Sequence, residues 1–168
     1  PSKEKHLTVY AFSTENWKRS MEEVSGIFKL LVKWVASDLK GLIDNNVRVK
    51  VLGDYTVLPE DAVKSLEKTL EATKENTGLQ FNIALNYGGR DEITRAVKSL
   101  AQKVKAGELD TEDITEDAIS AELFTGIYNA DAPDPELIIR TSGELRLSNF
   151  LLWQSAYSEL VFPEVYWP

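Results

Sequence analysis

The apolar residues of this chain recur with two periods that take turns. HLTVYAFS, rich in β-branched and aromatic residues and ending near Ser13, predicts a strand. From Met21 to about Asn45 the apolar positions are Val24, Ile27, Phe28, Leu31, Trp34, Val35, Leu39 and Leu42. Steps of three and four predict an amphipathic helix there. VRVKVLGD returns to strand character and closes on Gly53-Asp54. Pro59, Glu60 and Asp61 then open a helix, as a first-turn proline and N-terminal acids should, with Val63, Leu66 and Leu70 as its buried stripe. LQFNIALNY alternates, so Leu79, Phe81, Ile83, Leu85 and Tyr87 share one face. Gly88-Gly89 turns the chain into a helix carrying Ile93, Ala96, Val97, Leu100 and Val104, and Gly107 ends it. A short helix near Glu116–Phe124, a loop YNADAPDP, a strand ELIIR, a helical run around Asn149–Ala156 and a strand ELVF complete the chain.

Strands separated by helices imply right-handed crossovers. The expected class is therefore α/β, a mainly parallel sheet flanked by helices. The 168 residues, 1–168, read as one domain able to bury a core, without internal repeats or low-complexity tracts.

Composition narrows the function. A formal charge of −8 argues against a nucleic-acid binder held by a broad basic face. No run of about 18 apolar residues predicts a transmembrane segment. The polar start PSKEKH has no signal-peptide pattern, and the absence of cysteine fits a cytoplasmic location. The one histidine, His6, excludes multi-histidine metal sites and weakens any Ser-His-Asp reading. Beside Lys5 it reads as solvated.

Open parallel sheets bind ligands beyond the carboxyl ends of their strands. Four of the six arginines, Arg19, Arg90, Arg140 and Arg146, follow predicted strands. Guanidinium suits fixed, bidentate contacts to phosphate. Arg140 and Arg146, with Gly143 between them and Ser148 beyond, read as an anion clamp for phosphate or diphosphate. Structural ion pairs to Glu136, Glu144 or Glu159 are the alternative. STENWKR, with Ser13, Asn16, Trp17 and Arg19, suits a ligand with an apolar body and a polar head; helix caps and a core tryptophan explain it equally well. GGRDE is neither a Walker loop nor a dinucleotide fingerprint, and reads as a tight turn with Asp91 and Glu92 as an acidic cap. Glu159, set between apolar runs, needs an arginine partner or a cation such as Mg²⁺.

Together AFSTENWKR, LNYGGRDEI and IIRTSGELRLSNFLLWQSAYSEL followed by WP resemble the cis-prenyltransferases, in the branch of the bacterial undecaprenyl diphosphate synthases. The similarity runs in order through essentially the whole chain. The resemblance implies a homodimer of the α/β fold with a hydrophobic tunnel. The implied reaction adds isopentenyl diphosphate repeatedly to an allylic diphosphate such as farnesyl diphosphate, with Mg²⁺ assisting diphosphate loss, and yields a polyprenyl lipid-carrier precursor for the cell wall. By the same resemblance Arg140, Arg146 and Ser148 hold the diphosphate of isopentenyl diphosphate, and Glu159 is associated with Mg²⁺. Ser13, Asn16, Trp17 and Arg19 surround the reacting ends of the substrates, and Glu23 is tied to activity. Ala11 and Leu79 lie along the tunnel, where bulk influences product length. Peripheral membrane contact would serve product release.

The family's motif His-x-x-x-Met-Asp-Gly-Asn-x-Arg-Trp, on its first strand and phosphate loop, has no counterpart here, and neither has its tail beyond WP. The expectation is a chain that is catalytically incomplete as it stands. Ser20 replaces a common proline, which the helix start should tolerate. A non-catalytic subunit or inactive fragment of the same fold is the competing reading. A nucleotide-binding α/β protein is a third, which the missing glycine-rich loop disfavours.

Overall fold

The strand expected at the start forms over His6–Ser13 (β1), and the alternating segment forms over Gln80–Tyr87 (β3). They pair in parallel, and Arg48–Leu52 (β2) pairs in parallel on the other side of β3. This computed structural model describes residues 4–128 and 134–166, except the side chains of Val35 and Ala36. Val35 of the helical stripe, most of the YNADAPDP loop and the closing WP therefore lie outside the described residues. Two compact units, Pro1–Tyr87 and Gly88–Pro168, divide the chain.

In the first unit the long helix α1 spans Met21–Asp44. Ser20 caps it, its Oγ accepting from the Glu23 N–H at 3.3 Å, so the serine serves where a proline was the expected residue. Helix α2 spans Glu60–Thr73, with Pro59 just outside it at the cap rather than in its first turn. Phe12, Val24, Phe28, Leu42, Val49, Val51, Leu58, Ala62, Leu66, Ile83 and Leu85 form one core, confirming the predicted inward face of β3. Its opposite face is buried too, as is usual for a strand of a parallel sheet: Asn82 and Ala84 are both 0% exposed. Asn82 accepts from Gln80 Nε2 at 3.0 Å and donates to Thr8 Oγ1 at 3.1 Å, which satisfies a polar side chain in a sealed place. His6 is half-buried rather than solvated.

In the second unit α3 spans Gly89–Lys105. Its buried seam is Glu92, Ala96 and Leu100; Val97, expected inside, is 53% exposed. The seam is turned so that a glutamate takes an inner position. The helix expected near Glu116–Phe124 is two helices, α4 over Glu116–Glu122 and α5 over Phe124–Tyr128, separated by the extended, buried Leu123. Strands Leu137–Ile139 (β4) and Glu159–Val161 (β5) pair in parallel. Only Ile138 of β4 is buried. The expected helical run around Asn149–Ala156 is instead a series of turns followed by a 3-10 segment, Gln154–Tyr157. Positive φ at Ser148, Asn149 and Leu151 forbids an α-helix there. All described strand pairings are parallel, as the alternation of elements requires.

Candidate active site

Each unit gathers polar groups at the carboxyl ends of its strands. In the first, β1 ends at Ser13 and a 3-10 segment, Thr14–Lys18, follows. The Ser13 N–H donates to Asn16 Oδ1 at 2.8 Å, so Asn16 closes the turn as a cap. The indole of Trp17 packs edge-on against Phe12 at 5.2 Å and tilted against Phe28 at 5.6 Å. Its Nε1–H donates to Asn86 Oδ1 at 2.8 Å. Asn86 Nδ2 in turn donates to the carbonyl of Asp54, beyond the end of β2, at 2.9 Å. Three strand exits are thus tied together by one asparagine. Tyr10 donates its hydroxyl to the Tyr87 carbonyl at 3.0 Å. Burial first, and the Glu15 carboxylate second, push its phenol up to about 12, against the pull of a hydrogen bond with Ser13. The phenol stays a neutral donor throughout the neutral range. Arg19 and Glu23 are both exposed. Ala11 occupies a break in the β1–β3 register, and Leu79 precedes β3. Six residues of strand separate their levels, about 20 Å by the strand rise.

In the second unit the turn after β4 is pinned to the segment after β5. Arg140 N–H donates to the Val161 carbonyl at 2.9 Å, and Ser142 N–H to that of Val165 at 2.8 Å. Ser142 and Gly143 both have positive φ, so the turn closes in a conformation that suits glycine. The half-buried Arg140 reaches across it. Its Nη1 donates to Ser148 Oγ at 2.6 Å and to the Arg146 carbonyl at 2.5 Å. Arg146 forms an ion pair with Glu144 on the exposed surface. One arginine therefore follows the ion-pair alternative, while the other is directed onto the serine hydroxyl. Glu159, expected to need a partner, is exposed, so water can solvate it. It begins β5 opposite Leu137, three strand residues or about 10 Å below the level of Arg140.

A profile described as "Putative undecaprenyl diphosphate synthase", of the prenyltransferase family, matches residues 3–168. The chain belongs to this prenyltransferase family. It is 52% identical over 164 residues to an isoprenyl transferase of Bacillus subtilis, covering 98% of this chain and 62% of the relative. It is 49% identical over 164 residues to one of Clostridium perfringens, covering 98% and 63%. The crystal structure of lavandulyl diphosphate synthase from Lavandula x intermedia, in complex with dimethylallyl diphosphate, matches at a TM-score of 0.91 and 35% identity, over 95% of this chain and 68% of that one. A probable undecaprenyl diphosphate synthase from Campylobacter jejuni matches at 0.82 and 37%, over 96% and 71%. The chain thus spans less than two thirds of the length of those two curated relatives.

Two groups are not evident from the sequence. Glu92, taken for a surface cap, is 1% exposed. Its Oε1 accepts from the Phe124 N–H at 2.8 Å and its Oε2 from Gln154 Nε2 at 3.1 Å, joining α3, α5 and the 3-10 segment after the arginine turn. Asn86 and Asn149 are the other pair missed. Both have positive φ, which only coordinates reveal; the enrichment of asparagine in that region was the available signal.

Among the described residues no group of three or more acids and histidines gathers. Glu159 is an exposed carboxylate that by itself would supply a single protein oxygen, and Mg²⁺ beside phosphates is usually held by one or two carboxylates with substrate oxygens and water.

Proposed function

We propose that this chain carries out cis-prenyl chain elongation, as one prenyltransferase domain acting in a homodimer. Isopentenyl diphosphate is joined to the first carbon of an allylic diphosphate, farnesyl diphosphate for the first cycle. A carbon–carbon bond forms, diphosphate leaves with the bonding electron pair, and a proton is lost from the isopentenyl unit to give the new cis double bond. Arg140, Arg146 and Ser148 bind the isopentenyl diphosphate head. Ser13, Asn16, Trp17 and Arg19, with Glu23, orient the reacting ends. Ala11 and Leu79 line an apolar slot for the growing chain at two depths. Glu159 would contribute one oxygen to Mg²⁺, which when bound supplies charge neutralisation to the departing diphosphate. Positioning two diphosphates and stabilising the one that leaves are the sources of rate. The net negative charge of the chain makes the local cations at the strand exits the groups that matter.

One observation carries this reading: Arg140 is held onto Ser148 Oγ at 2.6 Å at the carboxyl end of β4, in a turn built from left-handed residues. Residues held at positive φ cluster at ligand sites, which supports the reading. Identity of about half to isoprenyl transferases supports the enzyme over a non-catalytic subunit. The test is incubation with labelled isopentenyl and farnesyl diphosphates and sizing of the products. Extended polyprenyl diphosphates that need both substrates are expected. Failure of the chain to take up isopentenyl diphosphate in a calorimetric titration would overturn the proposal, whatever the turnover.

A further inference from the structure

The arginine turn ends on Asn149, a residue outside the proposed anion clamp. Ser148 and Asn149 are consecutive non-glycine residues at φ 50° and 64°. Such backbone is kept only where its surroundings over-determine it. Here the surroundings are the first turn of α3. The Gly89 N–H donates to the Asn149 carbonyl at 2.7 Å, and the Arg90 N–H donates to Asn149 Oδ1 at 2.9 Å. The first four N–H groups of any helix lack an intrahelical acceptor. At α3 the cap position is Gly88, which makes no side-chain cap bond. A residue about sixty positions away does the capping instead. The approach is close: a Cβ at Gly89 would stand 2.9 Å from Leu152 Cγ and 3.1 Å from the Asn149 carbonyl oxygen. Glycine at 89 is therefore what admits the loop.

We propose that Asn149 is a positioning residue for the diphosphate clamp. Its two acceptors fix the left-handed pair to the start of α3. That fixes Ser148 Oγ, and Ser148 Oγ accepts the Arg140 guanidinium. The helix cap and the anion clamp are thus one rigid piece, and the cap sets the affinity of the clamp. This rests on the reading of Arg140 and Ser148 as the isopentenyl diphosphate site.

Three variants test it by calorimetric titration of isopentenyl diphosphate into the chain, each with a thermal melt. N149G keeps the left-handed backbone and removes only the side-chain acceptor. N149D keeps both the backbone preference and the acceptor, with a charge that the helix N-terminus favours. R140A removes the clamp itself. The expected result is binding weakened about tenfold in N149G, within about threefold of the parent in N149D, and weakened roughly ten- to a hundredfold in R140A. A mere helix cap would lower the melting temperature of N149G and leave its affinity alone; that outcome, with R140A still defective, overturns the positioning role and spares the clamp. N149D as weak as N149G also overturns it. Unchanged binding in R140A, or none by the parent chain, removes the clamp reading and this inference with it.

Discussion

Trp17 donates its indole N–H to Asn86 at 2.8 Å, and Asn86 stands where the β1–β3 register shifts. The extra residue at that break, with φ 48°, turns the carboxamide from the ladder toward the 3-10 segment. The ring rests on Phe12 and Phe28, so packing and one hydrogen bond hold it together. Trp17→Phe keeps the aromatic contacts and drops the N–H. A loss of about 1 kcal/mol is expected. Trp17→Ala removes the ring and should cost roughly 2–3 kcal/mol, below the range for truncating a buried aromatic because Trp17 is 42% exposed. Urea unfolding of the two variants checks the ratio. Equal losses would mean that the hydrogen bond, not the ring, does the holding.

Arg140→Ala should weaken isopentenyl diphosphate binding by roughly ten- to a hundredfold, the range for charged hydrogen bonds. Arg140→Lys should recover only part of this: the single nitrogen Nη1 makes both contacts, to Ser148 Oγ and the Arg146 carbonyl, and an ammonium in its place leaves no counterpart of Nε and Nη2 for the diphosphate. Titration calorimetry orders the three proteins. Lysine equal to arginine would mean that charge alone matters.

Most of the frame was legible because its signals are local. The β-branched and aromatic composition of HLTVYAFS and the period of three and four from Met21 placed β1 and α1 within a residue of their observed ends. The arginine turn was legible for a similar reason: Arg140, Gly143 and Ser148 are near neighbours in sequence. What was lost depends on contacts distant along the chain. Nothing near Glu92 announces that it will accept from Phe124 and Gln154, and its acidic neighbour Asp91 argued for the surface. The turns from Ser148 to Leu151 were read as helix because SNFLLWQ has helical composition; the positive φ values that break it are imposed by the close approach to Gly89. The expected exit of Val97 to the core failed by the same rotation that buried Glu92.

Glu159→Gln keeps size and removes the charge that a hard cation requires. If this carboxylate contributes to Mg²⁺ binding, the Mg²⁺ concentration for half-maximal product formation should rise about tenfold, with little change in melting temperature because the side chain is exposed. An unaltered metal titration would remove Glu159 from the cation site and leave the arginine turn untouched.

The acidic limit of stability should depend on Glu122. A hydrogen bond from Lys103 first, then one from Ser99 and the charges of Lys103 and Arg95, hold its carboxyl below the usual range, against the opposing effect of burial. Arg95 also donates to the Glu122 carbonyl and stacks 4.2 Å over the Phe124 ring, so this end of α4 is fastened to α3. A depressed folded-state pKa means that the unfolded chain binds more protons as the pH falls. The stabilisation is therefore complete above the ordinary glutamate value of about 4.3 and disappears as pH drops through the lower folded value. Glu122→Gln should accordingly melt below the parent at pH 7, and the gap should close as the pH falls through the depressed folded-state value, the parent falling to meet the variant. Melting curves at three pH values read this directly. A gap that stays constant would assign the effect to shape or to the Arg95 contact rather than to the carboxylate charge.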